Sequence, residues 1–261
     1  MTSTTVGMRC PECAKQRTRV VTMRGLTSVP RITYALIAVN VIASLAGGGI
    51  GLGGHNSLFI HGALLGSGSP DFLPGQGVAH GQWWRLVSSG FLHQNILHLG
   101  LNMWVLYLLG QMIEPALGPV KYGAVYAVSL LAGSLGALLI SPHLLTVGAS
   151  GAIFGLMGAA AVEARSRHIS LAQSGLGGLI AINLGFSIVF SGSGISLGGH
   201  VGGLIGGVLA ALAIQVGDRR RSLALALAAC ALIGTAAIAG SVLTSRSSDA
   251  GVAPALLTPG G

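Results

Sequence analysis

Seven apolar stretches run through the 261 residues, at about 32–52, 95–113, 120–140, 147–164, 171–190, 197–216 and 222–243. Each is close to the roughly 20 residues that a helix needs to cross a bilayer. Composition explains what can surround them. Only 8% of the residues are charged and 51% are hydrophobic, against about 25% charged in an ordinary soluble domain. Such a chain has no polar coat, which excludes a soluble enzyme and a disordered protein. The 43 glycines follow no G-x-y period, so collagen is excluded as well. Small residues inside apolar segments instead suit helices that approach closely in lipid. The formal net charge of +8 would suit nucleic acid, but the basic residues sit at the ends of the apolar stretches. The expected class is an all-α, polytopic membrane protein.

The segment 54–90 is of a different kind. Pro70, Pro74 and many glycines break it, and it carries Trp83, Trp84 and Arg85. The two tryptophans suit the headgroup layer, where an amphipathic ring keeps one end wet. Residues 1–31 form a polar arm without an apolar h-region, so no cleavable signal is expected there. The Gly- and Pro-containing end, 244–261, reads as a disordered tail. Counting Lys and Arg by loop sets the orientation. Twelve of the fourteen fall on one side: Arg9, Lys15, Arg17, Arg19, Arg24, Arg31, Lys121, Arg165, Arg167, Arg219, Arg220 and Arg221. Only Arg85 and Arg246 fall on the other. The N-terminus is therefore expected in the cytoplasm and the C-terminus outside, in a multi-pass protein of the plasma membrane.

Polar residues inside a bilayer are costly, so their depth is informative. In this topology the second, fourth and sixth stretches all enter from the outer face. His98 and Asn102 lie near the start of the second, Ser150 near the start of the fourth, and His200 near the start of the sixth. All four fall at one depth, although none was used to set the topology. A serine hydroxyl is a poor nucleophile until a neighbouring base takes its proton, and His200 is suited to that task. His200, Gly203 and Gly207 share a helix face, while Gly148, Gly151 and Gly155 flank Ser150. Small residues there let the two helices press together. His98 and Asn102, spaced i, i+4, project from one face. Both are donors of the kind a tetrahedral oxyanion needs, with the Ser150 N–H as a third. His93 and Asn95 lie just above and add polarity. For Asn95 and Asn183 a structural role is favoured. Trp83, Trp84 and Trp104 read as interface anchors or packing, and Cys230 as inert packing.

Gly148-Ala149-Ser150-Gly151, His200-x-x-Gly203-x-x-x-Gly207, His98-x-x-x-Asn102, Trp84-Arg85 and Glu114 after the second stretch together resemble the rhomboid intramembrane serine proteases. The resemblance covers roughly residues 30–216 and implies a six-helix core, 32–216, with 217–243 as an added seventh helix. It also implies a Ser150–His200 dyad without a carboxylate and an oxyanion hole from His98, Asn102 and the Ser150 N–H. The substrates it implies are single-span membrane proteins, cut near the outer membrane face. Better-known members often carry a tyrosine one turn after the nucleophile. Here it is Phe154, whose ring can still stack on His200 but brings no hydroxyl, so a modest effect on base positioning is expected and not a loss of activity.

Other chemistries lack their residues. HExxH is absent, so a zinc metalloprotease has no ligands. None of the six acidic residues, Glu12, Asp71, Glu114, Glu163, Asp218 and Asp249, is expected in mid-span, which leaves no aspartyl dyad and no proton-coupled transporter. The alternative is a rhomboid-like pseudoprotease that binds membrane clients without cutting them; such proteins typically lose the Ser or His, and both are present. No cofactor, metal or nucleic-acid partner is expected. Cys10 and Cys13 resemble the last knuckle of a zinc module, but two thiolates are half of a tetrahedral site. A start upstream of Met1 or a second protomer would have to complete it.

Overall fold

The computed structural model describes residues 2–4, 7–9, 29–48, 56–69, 72–172, 175–189 and 196–252. The cysteines Cys10 and Cys13, most of the basic arm, Pro70, Asp71 and the tail beyond 252 lie outside them. Among the described residues seven long helices follow one another: α1 (Arg31–Ala46), α2 (Ile96–Leu117), α3 (Pro119–Ile140), α4 (Ser150–Ser166), α5 (Leu176–Val189), α6 (Leu197–Arg219) and α7 (Leu223–Val252). Among the described residues α2, α3, α6 and α7 are individually long and apolar enough to cross a membrane. A small antiparallel pair, β1 (Thr2–Thr4) and β2 (Gly7–Arg9), sets Thr2 opposite Arg9.

Helix α6 packs against both α3 and α4, and these three make the centre of the bundle. Helix α7 covers α3 and α6, α2 leans on α4, α1 on α2, and α5 on the α4 and α6 side. Leu106, Tyr122, Val125, Leu156, Met157 and Ile214 are buried in the core. The outer faces are apolar instead of charged, as with Ile42, Ile182, Leu232 and Leu243. A lipid solvent permits that arrangement, because only the backbone needs internal hydrogen-bond partners.

Glycine makes the centre possible. A methyl group on Gly203 would overlap the Gly151 carbonyl, and one on Gly207 would overlap the Gly155 carbonyl. The faces expected for α4 and α6 do meet. Helix α3 contributes equally, since methyl groups on Gly136 and Gly198 would each overlap the other's carbonyl.

Three boundaries differ from expectation. Helix α2 continues past Pro115 to Leu117, so Glu114 lies inside the helix and not after it. Its carboxylate accepts from Ile32 N at 2.9 Å, Thr33 N at 2.8 Å and Thr33 Oγ1 at 2.7 Å. It thereby satisfies the orphan amides that begin α1. Gly118, at φ 80°, then turns the chain so that Pro119 opens α3. Second, the helical part of the first stretch ends at Ala46. Third, the expected tail from 244 is helical as far as Val252. Ser241, Ser245, Ser247 and Ser248 turn their hydroxyls back onto carbonyls three or four residues earlier. These bonds satisfy the serine hydroxyls inside the helix, so they do not draw the backbone into a competing turn.

Candidate active site

Residues 56–69 and 72–90 form a loop domain beside the bundle, anchored by Arg85. This side chain has no solvent exposure. Its guanidinium donates to Gln82 Oε1 at 2.7 Å, Ile60 O at 2.8 Å, Ala63 O at 2.6 Å and Gln76 Oε1 at 3.2 Å. The planar fork of donors suits such a cluster of acceptors. Trp83 and Trp84 are exposed, and the Trp84 indole N–H donates to His61 O at 3.1 Å.

Below this loop the four polar residues converge. Ser150 opens α4, with Ala149 at the N-cap and no side chain capping the helix. The first-turn amides, which have no intrahelical acceptor, are thus not claimed by a cap. His200 lies in the first turn of α6, whose N-cap Ser196 accepts from Gly199 N at 3.1 Å. The His200 Nε2 is 2.7 Å from Ser150 Oγ. Phe154, one turn along α4, stacks under the imidazole at 4.3 Å between centroids and 16° between planes. Ring and base are both buried, while Ser150 is half-buried.

Asn95 caps α2 by accepting from His98 N at 2.9 Å. A methyl group on Gly148 would stand 2.8 Å from both Cε1 and Nε2 of His98, and 3.7 Å from Ser150 Oγ. Gly148, at φ 128°, therefore serves twice, since an L side chain would be strained there and would collide with the imidazole. Asn102 is buried, and its Nδ2 donates to His98 O at 3.0 Å. One amide hydrogen is thus spent within α2 and one is left. His93, fully buried, places Nδ1 3.0 Å from Ser44 Oγ and meets the edge of His98 at 4.9 Å.

A cavity of about 590 Å³ lies between α2, α3, α4, α5 and α6, with Ser150, His200, His98 and Asn102 on its wall. Three residues given only structural roles above also line it: Asn95 at the N-cap of α2, Trp104 from α2 and Asn183 from α5. Asn183 donates to Leu179 O at 2.8 Å. Its presence there was open to detection as a polar residue in an apolar span.

Residues 80–216, just over half of the chain, match the family model described as Rhomboid domain. The chain belongs to the rhomboid family. It is 38% identical over 140 residues to Rhomboid protease GluP of Bacillus subtilis, covering 52% of this chain and 27% of that protein. It is 36% identical over 148 residues to YdcA of the same organism, covering 55% of this chain and 74% of that protein. RHOMBOID-like protein 4 of Arabidopsis thaliana is 32% identical over 133 residues, covering 48% of this chain and 32% of that protein. The matched part thus spans well under half the length of two of these three relatives. With the apolar helices, family membership makes this an all-α, multi-pass membrane protein. The matched segment contains His98, Asn102, Ser150 and His200 and ends within α6, so α7 lies beyond it.

Proposed function

We propose that this rhomboid is an intramembrane serine endopeptidase that cuts single-span membrane proteins near the outer membrane face. The observation that carries the reading is the 2.7 Å approach of His200 Nε2 to Ser150 Oγ on the wall of a cavity large enough for a peptide segment. In this reading residues 32–216 are the catalytic core and α7 is an addition. The N-terminus is cytoplasmic and the C-terminus outside, on the strength of the Lys and Arg distribution, and the membrane is the plasma membrane.

The chemistry follows from the positions. Ser150 Oγ attacks the scissile carbonyl carbon while its proton passes to His200 Nε2. The carbonyl oxygen becomes an oxyanion, which accepts from the Ser150 N–H, His98 and the remaining Asn102 amide hydrogen. The C–N bond then breaks as His200 returns the proton to the leaving amine, leaving an ester on Ser150. Water entering from the outer face attacks that ester, with His200 as its base, and releases the acid. Phe154 keeps the imidazole in plane throughout.

The test is labelling of the purified chain with a fluorophosphonate, beside cleavage of a model single-span substrate. Labelling at Ser150, lost in Ser150→Ala and abolished together with cleavage in His200→Ala, is the expected result. Cleavage near the wild-type rate in either variant overturns the dyad.

A further inference from the structure

The last turns of α7 reach back to the loop domain. Asp249 Oδ1 accepts from Ser67 Oγ at 2.5 Å and stands 3.3 Å from His80 Nε2. Ser67 is fully buried and lies in the stretch 64–69. That stretch is bound on both sides. On one side Val78 N donates to Leu65 O, and Ala79 N to Gly66 O, both at 2.9 Å. On the other, Gly66 N donates to Pro142 O at 2.8 Å, and Leu64 and Thr146 exchange N–H···O bonds of 2.9 Å each way. The His143 ring Nδ1 adds a donor to Ser67 O at 2.9 Å. Thr146 is four residues before Ser150, and Thr146, Val147 and Gly148 line the cavity. Gly148 N in turn donates to Ser89 O at 2.9 Å. A continuous set of hydrogen bonds therefore runs from the C-terminal turn of α7, through Ser67, to the strand-like approach to Ser150.

We propose that Asp249 is a positioning residue: by latching Ser67 and His80 it holds the 64–69 loop against residues 142–148, and so fixes the backbone that presents Ser150 and Gly148 to the substrate. This gives α7 a purpose beyond the matched core. It is a strap across the loop domain, not only a seventh span. Asp249 touches no reacting atom, so its effect must appear in the alignment of the site and not in substrate capture. Without Asp249 the buried Ser67 hydroxyl keeps only its 3.3 Å contact to Gly68 O, and the exposed His80 loses this tie to α7. The loop then loses order locally, while the bundle, built on the glycine contacts of α3, α4 and α6, is unaffected. The inference rests on the serine-endopeptidase reading for its kinetic part only.

The experiment uses the full chain in detergent micelles, as wild type, Asp249→Ala, Ser67→Ala and the double variant. Two quantities are measured: kcat and KM on a single-span model substrate, and hydrogen exchange of the Leu64 and Thr146 amides. The expected result for Asp249→Ala is faster exchange at both amides and a lower kcat at unchanged KM, with an unchanged melting temperature. Ser67→Ala should shift the same quantities, and the double variant should be no worse than Asp249→Ala, because the two side chains form one contact. Wild-type exchange at Leu64 and Thr146 in Asp249→Ala overturns the latch, as do fully additive losses in the double variant. If the wild type neither labels with fluorophosphonate nor cleaves, the endopeptidase reading fails instead, and the exchange measurement still decides on the latch.

Discussion

The Phe154 ring lies under the His200 imidazole at 4.3 Å and 16°, and this stack aims Nε2 at Ser150. The hydroxyl that a tyrosine would offer is absent, so orientation depends on the face of the ring. Stacked aromatic pairs contribute about 0.5–1.5 kcal/mol beyond their burial. Replacing Phe154 by Leu should therefore lower kcat by up to roughly tenfold with little change in KM. Phe154→Tyr, which keeps the stack, should remain near wild type. Steady-state kinetics on a single-span substrate give both answers, and an undiminished kcat in the Leu variant would remove the stack from the mechanism.

The oxyanion donors should be unequal. Removing one such donor typically costs about 10²–10³ in kcat. Asn102 already donates to His98 O, whereas the His98 ring borders Gly148 beside Ser150. His98→Ala should accordingly lose more kcat than Asn102→Ala, and neither should abolish turnover. A change confined to KM in either variant would reassign that residue to substrate binding.

Much of this arrangement was legible in the sequence, and the reasons are physical. Membrane spans announce themselves by length and hydropathy, and the i, i+4 spacing of His98 and Asn102 fixes a shared face. Ser150 and His200 were readable as a pair because both sit at helix starts on the same side, His200 with Gly203 and Gly207 one and two turns along and Ser150 beside the small face of Gly151 and Gly155. What was not legible depends on three-dimensional pairing. The Gly136–Gly198 contact between α3 and α6 leaves no periodic signature distinct from the other glycines of those spans. Glu114 read as a residue past its helix because the apolar stretch stops at 113, whereas the helix runs on through Pro115 to Leu117. Asp249 read as part of a disordered tail, since its partners Ser67 and His80 lie 182 and 169 residues earlier in the chain.

The glycine seam makes a separate prediction. A methyl group on Gly207 overlaps the Gly155 carbonyl, whereas one on Gly100 meets nothing within 4 Å. Overpacking of a close-packed contact costs about 1–3 kcal/mol. Gly207→Ala should lower the melting temperature and weaken fluorophosphonate labelling, because α6 carries His200 away from α4. Gly100→Ala should leave both unchanged, or raise stability slightly through helix propensity. Equal behaviour of the two variants would show that the seam does not set the dyad distance.

Arg85 tests the loop domain. Its removal leaves the Ile60 and Ala63 carbonyls without their donor, and each buried group so orphaned costs about 1–3 kcal/mol. Arg85→Ala should lower the melting temperature in detergent. Arg85→Lys should not restore it, since an ammonium cannot reach acceptors on both sides with a planar fork. Full rescue by lysine would mean that the charge matters and the geometry does not.

Substrate choice should follow from how Ser150 is presented. It opens α4 at the cavity wall, so its attack requires an accessible carbonyl. In an uninterrupted client helix that carbonyl is held in an i→i−4 hydrogen bond, and inside a bilayer few other partners exist for the groups released. Clients with a Gly or Pro below the scissile residue should therefore be cut faster, because local unwinding costs them less. The wall beside Ser150 is built from Gly148, Gly151 and Gly199, backbones close to one another, which favours Gly, Ala or Ser at the scissile position. Two model substrates decide the matter, one with Ala at the cut site above a Gly-Pro pair and one with Phe at the cut site in an unbroken poly-Leu helix. The first should be cleaved at the higher kcat/KM, with identical labelling of Ser150 confirming that equal amounts of enzyme are active. Equal cleavage of the two would remove local unwinding as the selector.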